Sequence, residues 1–181
     1  MNEEKRKQLE KALSFLDGKQ EEMMGLLERL VKQESGNPDK EGCDAMCALM
    51  EEQLKKLGAK TTVVSMEKKG NFLYGEIGGE RPGKPVLFGG HMDTVFPDGT
   101  AAKRPFRIEG ENYYGPGVGD MKNGDTAMYH IAANLPREVL DKLSIAMVYN
   151  PDEEIGSVYS RETTDAIGRK ADHIFVMESA G

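Results

Sequence analysis

The sequence has little cysteine and no long apolar run. Only Cys43 and Cys47 occur among its 181 residues. Two thiols make neither a disulfide framework nor a structural zinc–thiolate site, so we expect two buried apolar side chains one helical turn apart. No apolar stretch approaches the ~20 residues of a membrane-spanning helix. The charged N-terminus lacks the apolar core of an export signal, which favours a cytoplasmic location.

Positive charge is also scarce. Lys and Arg total 24 against 31 Asp and Glu, which gives a formal net charge of −7 at pH 7. Nucleic acids and anionic membranes are bound through basic patches, so we expect neither as a partner. Hydrophobic residues make up 38% and charged residues 30%, which is typical of a globular domain. The length is enough for one domain with its own core.

Amphipathic helices alternate with apolar segments along the chain. Helices are predicted, from three- and four-residue apolar spacing or from composition, at residues 3–34 (with a break near 16–20), 41–57, 122–135 and 157–168. Five longer strands are predicted at 60–66, 71–77, 84–91, 143–150 and 172–178, with a loop and a short strand pair over 96–119. This order predicts an α/β fold with three layers, helix, sheet and helix, around a mostly parallel mixed sheet.

Three of the five longer strands end on ionisable residues. The third ends at His91, the fourth runs into Glu153 and Glu154, and the fifth ends at Glu178. Ligand sites in open sheets of this kind form beyond the carboxyl ends of strands. His, Asp and Glu are the ligands that zinc and similar divalent ions take in proteins. The strand ends therefore predict a metal site at one edge of the sheet.

Each candidate residue also has a plainer explanation. Asp93 points the same way as His91 on an extended strand and could accept its second imidazole N–H, but an ordinary loop hydrogen bond explains the pair equally well. Asp120, in the glycine-rich segment GPGVGDMKNG, could bind metal or cap the next helix. Glu153 and Glu154 could be a solvated pair, or one could bind metal while the other is a general base.

Other motifs are set aside. The segment GGERPGKP, residues 78–85, nearly matches a phosphate-binding loop. Pro85 replaces the required hydroxyl residue and a strand follows, so we predict a turn between two strands. His130 and His173 are expected to be packing or surface histidines. Neither a G-x-S-x-G nor an H-E-x-x-H motif occurs.

Four segments together resemble the M20 family of zinc metallopeptidases, and most closely its glutamate carboxypeptidase branch. They are GGHMDTVFPDG, RPFRIEGENYYGPGVGDMKNG, VYNPDEEIGSVYSR and ADHIFVMESAG, in family order and at family spacing. The resemblance covers nearly the whole chain and is strongest over residues 85–181. It implies zinc-dependent hydrolysis of a small peptide or N-acyl amino acid, by a carboxypeptidase that releases a C-terminal residue such as glutamate. An N-acyl-amino-acid deacylase or desuccinylase and an inactive metal-binding fragment are the alternatives.

The resemblance also implies a role for each matching residue. His91 and Glu178 would bind one Zn2+, Glu154 the second and Asp120 both, while Asp93 would orient His91 and Glu153 would be the general base. A complete site would hold two Zn2+, with Co2+ or Mn2+ as alternatives. The peptide bond between Asp120 and Met121 is expected to be cis.

Family members are longer than this chain. They continue into a lid or dimerisation domain and then return with a segment that supplies a further zinc-binding histidine. The resemblance therefore implies that residues 1–181 are the N-terminal part of the catalytic domain, without the lid and the closing segment. We expect little peptidase activity from these residues alone and a homodimer for the full-length protein.

Overall fold

The computed structural model describes residues 2–78 and 84–179. Within these ranges the helices are α1 (Glu3–Asp17), α2 (Gln20–Lys32), α3 (Lys40–Lys56), α4 (Thr100–Lys103), α5 (Asn123–Asn134), α6 (Arg137–Leu140) and α7 (Arg161–Gly168). The strands are β1 (Lys60–Val64), β2 (Phe72–Ile77), β3 (Val86–His91), β4 (Arg107–Glu109), β5 (Asn112–Tyr114), β6 (Ile145–Asn150) and β7 (His173–Val176). The short helices α4 and α6 were not predicted; all five longer strands and the β4–β5 pair were.

Five strands form a mixed sheet in the order β1-β2-β6-β3-β7. Strand β3 runs parallel to β6 and to β7, whereas β2 is antiparallel to β1 and to β6. All six side chains of the central strand β6 are buried, which explains its uninterrupted apolar run. The mixed sheet is as predicted. Parallel pairings do not outnumber antiparallel ones among the described strands, because the short link between β1 and β2 allows only antiparallel pairing.

Helices cover both faces of this sheet, which confirms the three layers. On one face, α2, α3 and α5 pack through Leu30, Met50 and Met128 into a core shared with β2, β3 and β6. On the other face, Ile167 of α7 packs against a smaller apolar cluster that includes Leu87. The residues that follow β3, β6 and β7 are thus held on a sheet supported from both sides.

The two cysteines lie on the buried face of α3. This face carries apolar residues at three- and four-residue spacing: Cys43, Met46, Cys47, Met50 and Leu54. Both thiols are free and buried, and burial raises the pKa of each to about 12. The prediction of two buried apolar thiols is confirmed.

Several local features differ from the sequence prediction. Leu9, Leu13 and Leu16 form an apolar stripe on α1 at the three- and four-residue spacing of a core-facing helix, but this stripe is exposed, with Leu9 at 47% and Leu13 at 52%. Helix α7 begins at Arg161 rather than at residue 157, because Ser157 has a φ of 53°, which a right-handed helix does not admit. The turn predicted over residues 78–85 falls mainly on 79–83, outside the described residues. No helix in the described ranges is both long and apolar enough to cross a membrane.

Candidate metal centre

The carboxyl ends of three parallel strands meet at one edge of the sheet. Strand β3 ends at His91, which lies in register with Asn150 at the end of β6. Glu178 follows β7, and its Oε1 lies 3.2 Å from Nε2 of His91. Glu153 comes from the turn after β6, and its Oε2 lies 3.8 Å from the same nitrogen. The structure therefore brings the acids of two neighbouring strands to the histidine of the third.

Asp120 reaches the same place from an irregular segment before α5. Its Oδ1 lies 2.9 Å from Nε2 of His91, and its peptide bond to Met121 is cis, as the family resemblance implies. Asp120 and Met121 have non-helical dihedral angles, so Asp120 precedes the helix without capping it. Gly117 has a φ of +71°, and a Cβ there would lie 2.7 Å from Cγ2 of Thr94. Glycine at this position lets the segment turn close to the strand that ends at His91.

The side chains brought together form a donor set suited to a divalent cation. Ligand atoms of His91, Asp120 and Glu154 all lie within 4.8 Å of one another. The imidazole of His91 is buried, whereas the Asp120 side chain is 63% exposed, so the group is open on one side. One imidazole nitrogen with several carboxylate oxygens fits zinc and similar borderline or hard divalent ions. The residues present therefore fit the metal that the family resemblance implies.

Asp93 faces Nδ1 of His91, on the side of the imidazole away from the acids near Nε2, and connects His91 to the turn after β6. Nδ1 of His91 lies 3.0 Å from the backbone carbonyl oxygen of Asp93 and 3.3 Å from its carboxylate. The carbonyl is thus the nearer acceptor, although the carboxylate was the predicted one. Both acceptors favour the tautomer with hydrogen on Nδ1 and leave Nε2 free as a ligand. The Asp93 carboxylate also accepts the backbone N–H groups of Glu153 and Glu154, each at 3.1 Å.

Negative charge accumulates around His91. Burial opposes protonation of the imidazole, but the contact with Asp93 and the charges on Glu178 and Asp125 outweigh it and raise the pKa to about 10. Burial also raises the pKa of Glu154 and of Glu178, and nearby carboxylates add to both shifts. A bound cation would relieve this repulsion and would displace the proton from the imidazole.

Two residues beside this group were not predicted from the sequence. Asn37 donates from Nδ2 to Oδ2 of Asp93 over 2.7 Å, and Lys69 donates from Nζ to Oδ1 of Asn37 over 2.6 Å. Both lie in loops far along the chain from Asp93. No spacing in the sequence distinguishes them from the other polar residues of those loops.

The remaining histidines lie apart from this group. His130 is buried in α5, with its ring edge-on to Tyr129. His173 is exposed at the start of β7. Their positions match the prediction of a packing and a surface histidine.

A known family matches just over half of the chain. Residues 87–180 match the sequence profile of the Peptidase family M20/M25/M40. This range contains all of the predicted site residues, from His91 to Glu178.

Individual relatives match a longer part of the chain. Carboxypeptidase G2 of Pseudomonas sp. (strain RS-16) is 39% identical over 160 residues, which cover 86% of this chain and 38% of that protein. Succinyl-diaminopimelate desuccinylase of Caulobacter sp. (strain K31) is 30% identical over 161 residues, which cover 86% of this chain and 40% of that protein. The chain thus spans about two fifths of the length of these relatives.

A solved structure shows the same fold. The crystal structure of human carnosine dipeptidase 1 matches with a TM-score of 0.78 and 21% identity, over 96% of this chain and 42% of that one. The arrangement of mixed sheet and flanking helices described above is therefore shared with a longer protein.

Proposed function

Because this chain belongs to the Peptidase family M20/M25/M40, we propose that it carries the metal-binding part of a zinc-dependent hydrolase of peptide or N-acyl amide bonds. The observation that supports this most directly is the grouping of His91, Asp120 and Glu154, whose ligand atoms lie within 4.8 Å of one another. Glu178 lies against the same imidazole, at 3.2 Å. One histidine among several acids at the ends of parallel strands suits a cation better than it suits a hydrophobic core.

Four residues would hold the metal. His91 and Glu178 would bind one zinc, Glu154 a second, and Asp120 both. Co2+ or Mn2+ can take the same nitrogen and oxygen ligands. A bound zinc pair supplies Lewis-acid polarisation of the scissile carbonyl and lowers the pKa of water.

Glu153 is the general base in this proposal. Its side chain is 50% exposed and its Oε2 lies 3.8 Å from Nε2 of His91, so it faces the space in front of the metal ligands. The carboxylate takes a proton from the attacking water and passes it to the nitrogen of the leaving amine when the amide bond breaks. The hydrogen bond from its backbone N–H to Asp93 holds it beside the ligands.

We propose a carboxypeptidase that releases a C-terminal residue such as glutamate. The 39% identity to carboxypeptidase G2 supports this choice. The 30% identity to a succinyl-diaminopimelate desuccinylase supports the alternative, an N-acyl-amino-acid deacylase or desuccinylase. Both activities cleave an amide beside a carboxylate, and residues outside these 181 would select between them.

We further propose that residues 1–181 are the N-terminal part of the catalytic domain. In this proposal a lid domain and a closing segment, which adds a histidine ligand, belong to the same protein, which dimerises through the lid in the cytoplasm. Exposed apolar side chains on β7 support a missing neighbour: Ile174 is 53% and Val176 is 68% exposed. They line a cavity of about 500 Å3 between the sheet and α7, where the closing segment would pack.

The test measures zinc content and amide hydrolysis together. The purified chain, alone and joined to the lid and closing segment of carboxypeptidase G2, is assayed with N-acyl-glutamates, dipeptides and N-succinyl amino acids. We expect zinc binding by the chain, hydrolysis only by the joined protein, and preference for acyl-glutamates. Preference for N-succinyl substrates would select the alternative. Zinc binding without hydrolysis of any amide would reject the hydrolase proposal in favour of an inactive metal-binding protein.

A further inference from the structure

A chain of contacts runs from the half-buried Lys69 through Asn37 and Asp93 to His91: two hydrogen bonds, then a close approach of carboxylate and imidazole. Nζ of Lys69 lies 2.6 Å from Oδ1 of Asn37, and Nδ2 of Asn37 lies 2.7 Å from Oδ2 of Asp93. Oδ1 of Asp93 lies 3.3 Å from Nδ1 of His91. We propose that Asn37 and Lys69 are positioning residues that hold Asp93, and through it His91, in the geometry that binds metal. The metal in this inference rests on the proposed function.

The side chains determine the direction of each hydrogen bond. An ammonium group only donates, so the Asn37 atom that faces Lys69 is the amide oxygen. The amide NH2 then faces Asp93, whose ionised carboxylate only accepts. Both bonds of Asn37 involve a charged partner and are therefore stronger than bonds between neutral groups. Lys69 thus keeps the amide from turning over and presenting its oxygen to Asp93.

Backbone contacts hold Asn37 in place. The N–H of Asn37 donates to the carbonyl of Thr94 over 2.8 Å, and the N–H of Thr94 donates to the carbonyl of Ser35 over 2.9 Å. A Cβ on Gly36 would lie 2.3 Å from the carbonyl oxygen of Phe96, so only glycine permits this close pairing. The α2–α3 loop is therefore fastened to the segment directly after His91 and Asp93. The side-chain amide of Asn37 therefore reaches Asp93 from a backbone that these hydrogen bonds hold in place.

Lys69 contacts Asn37 twice. Its Nζ donates to the side-chain oxygen and also to the backbone carbonyl of Asn37, the latter over 3.1 Å. The lysine is only partly exposed. Two contacts to one residue indicate an ammonium held in one place, unlike the exposed Lys7, which among the described residues pairs only with Glu3 on the surface of α1.

The Asp93 carboxylate accepts three hydrogen bonds and also contacts the imidazole of His91, so the loss of one bond affects both halves of the site. Oδ1 receives the backbone N–H of Glu153 and faces Nδ1 of His91, while Oδ2 receives Asn37 and the N–H of Glu154. These contacts surround both oxygens of a fully buried side chain. Without Asn37, Oδ2 would keep only the N–H of Glu154 in the described part of the chain. The carboxylate could then rotate away from His91.

The test compares four variants of the chain by zinc affinity and by NMR. Asn37→Ala removes the amide, Lys69→Ala removes the ammonium and Lys69→Arg restores a cation. Lys68→Ala, a change at the adjacent exposed lysine, is the matched control. Zinc affinity is measured by competition with a chromophoric chelator, and the imidazole nitrogens of His91 are observed by 15N NMR with and without zinc. Circular dichroism checks that each variant is folded.

We expect Asn37→Ala to lower zinc affinity by about 10- to 100-fold, the usual effect of removing a residue that supports a metal ligand. Lys69→Ala should lower it less, Lys69→Arg should recover most of the loss, and Lys68→Ala should match the parent. The His91 nitrogen signals should shift in the same order even without zinc. If Asn37→Ala does not fold, the Lys69 pair still decides the question.

Folded variants with parental zinc affinity and unmoved His91 signals would overturn the proposal. A different set of results would reject the hydrolase proposal and leave the positioning role standing. If the chain binds zinc but even the protein joined to the lid and closing segment hydrolyses no amide, while zinc affinity still falls in the Asn37 variant, the enzyme is rejected and the positioning role is supported. If the parent binds no zinc, the zinc-free NMR signals of His91 decide alone: a shift in the variants supports the role, and no shift rejects it.

Discussion

The Asp93 carboxylate accepts the backbone N–H of Glu153 over 3.1 Å. Asp93 is also next to the imidazole of His91, so one buried side chain joins a proposed metal ligand to the proposed general base. His91 ends strand β3, whereas Glu153 lies in the turn after strand β6. Their relative position is therefore set by a contact inside the protein, before any metal or substrate is bound.

The assignment of Glu153 as general base leads to the first prediction. Glu153→Gln keeps the shape of the side chain but removes its ability to take a proton. In the active, complete protein we expect kcat to fall by roughly 100- to 10,000-fold, with zinc content unchanged because Glu153 is not a proposed ligand. Steady-state kinetics and metal analysis check both parts. Glu162→Gln, on the exposed surface of α7, is the control and should behave as the parent.

A second prediction concerns pH and metal binding. The pKa of His91 in the metal-free chain is raised from 6.5 to about 10, whereas a metal ligand must be unprotonated. Zinc binding near pH 7 should therefore release a proton from His91, and affinity should rise with pH until about 10. Calorimetry in buffers of different ionisation enthalpy measures the protons released. Binding without proton release, or affinity independent of pH, would contradict the ligand assignment of His91.

The free energy of unfolding should also depend on the protonation of His91, and zinc should reverse the direction of its change with pH. Because the folded-state pKa of His91 is raised, its contribution to the free energy of unfolding is full below 6.5 and is lost as pH rises towards about 10, without zinc. With zinc in excess, stability should instead increase as pH rises. Urea unfolding with and without zinc over this range provides the measurement.

His130 gives a further prediction, which is independent of the metal. Its ring is buried, and neither ring nitrogen has a hydrogen-bond partner among the described residues. Burial lowers its pKa below 6.5, so the folded state resists a proton that the unfolded state accepts. The free energy of unfolding should therefore fall as pH drops below 6.5. His130→Leu should weaken this dependence on pH, whereas His173→Gln, at an exposed position, should leave it unchanged. If the free energy of unfolding changes with pH equally in the parent and in both variants, the explanation is rejected.

Two glycines near Asp120 give a matched pair. Gly117 has a φ of +71° and no room for a Cβ beside Thr94, whereas a Cβ on Gly119 would meet nothing within 4 Å. Gly117→Ala should reduce the free energy of unfolding by about 1–2 kcal/mol and weaken zinc binding by displacing Asp120. Gly119→Ala should change neither quantity. Equal effects of the two substitutions would show that the conformation at Gly117 is unimportant for the site.

Strand ends and residue types made much of the site predictable. His91 ends β3 and Glu178 closely follows the parallel strand β7, so the sheet itself brings them together. The antiparallel pairing of β2 with β6 was not predictable, because these strands are far apart along the chain and strand propensity is the same in parallel and antiparallel pairs. Asn37 and Lys69 were missed for another reason. Their positions depend on the pairing of the α2–α3 loop with Thr94, a contact between distant segments that leaves no periodic pattern in the sequence.

The exposed stripe of α1 illustrates the same limit. Leu9, Leu13 and Leu16 have the spacing of a core-facing helix. The spacing establishes that one face of α1 is apolar, as observed. It carries no information about whether a neighbour covers that face.

The central claim is that His91, Asp120, Glu154 and Glu178 together hold metal. Crystals of the chain grown with zinc, with diffraction recorded on both sides of the zinc absorption edge, test it most directly. We predict an anomalous peak about 2.0–2.1 Å from Nε2 of His91, with oxygens of Glu178 and Asp120 bound to the same ion. Zinc found only at His130 or His173, with the His91 imidazole free of metal, would contradict the account.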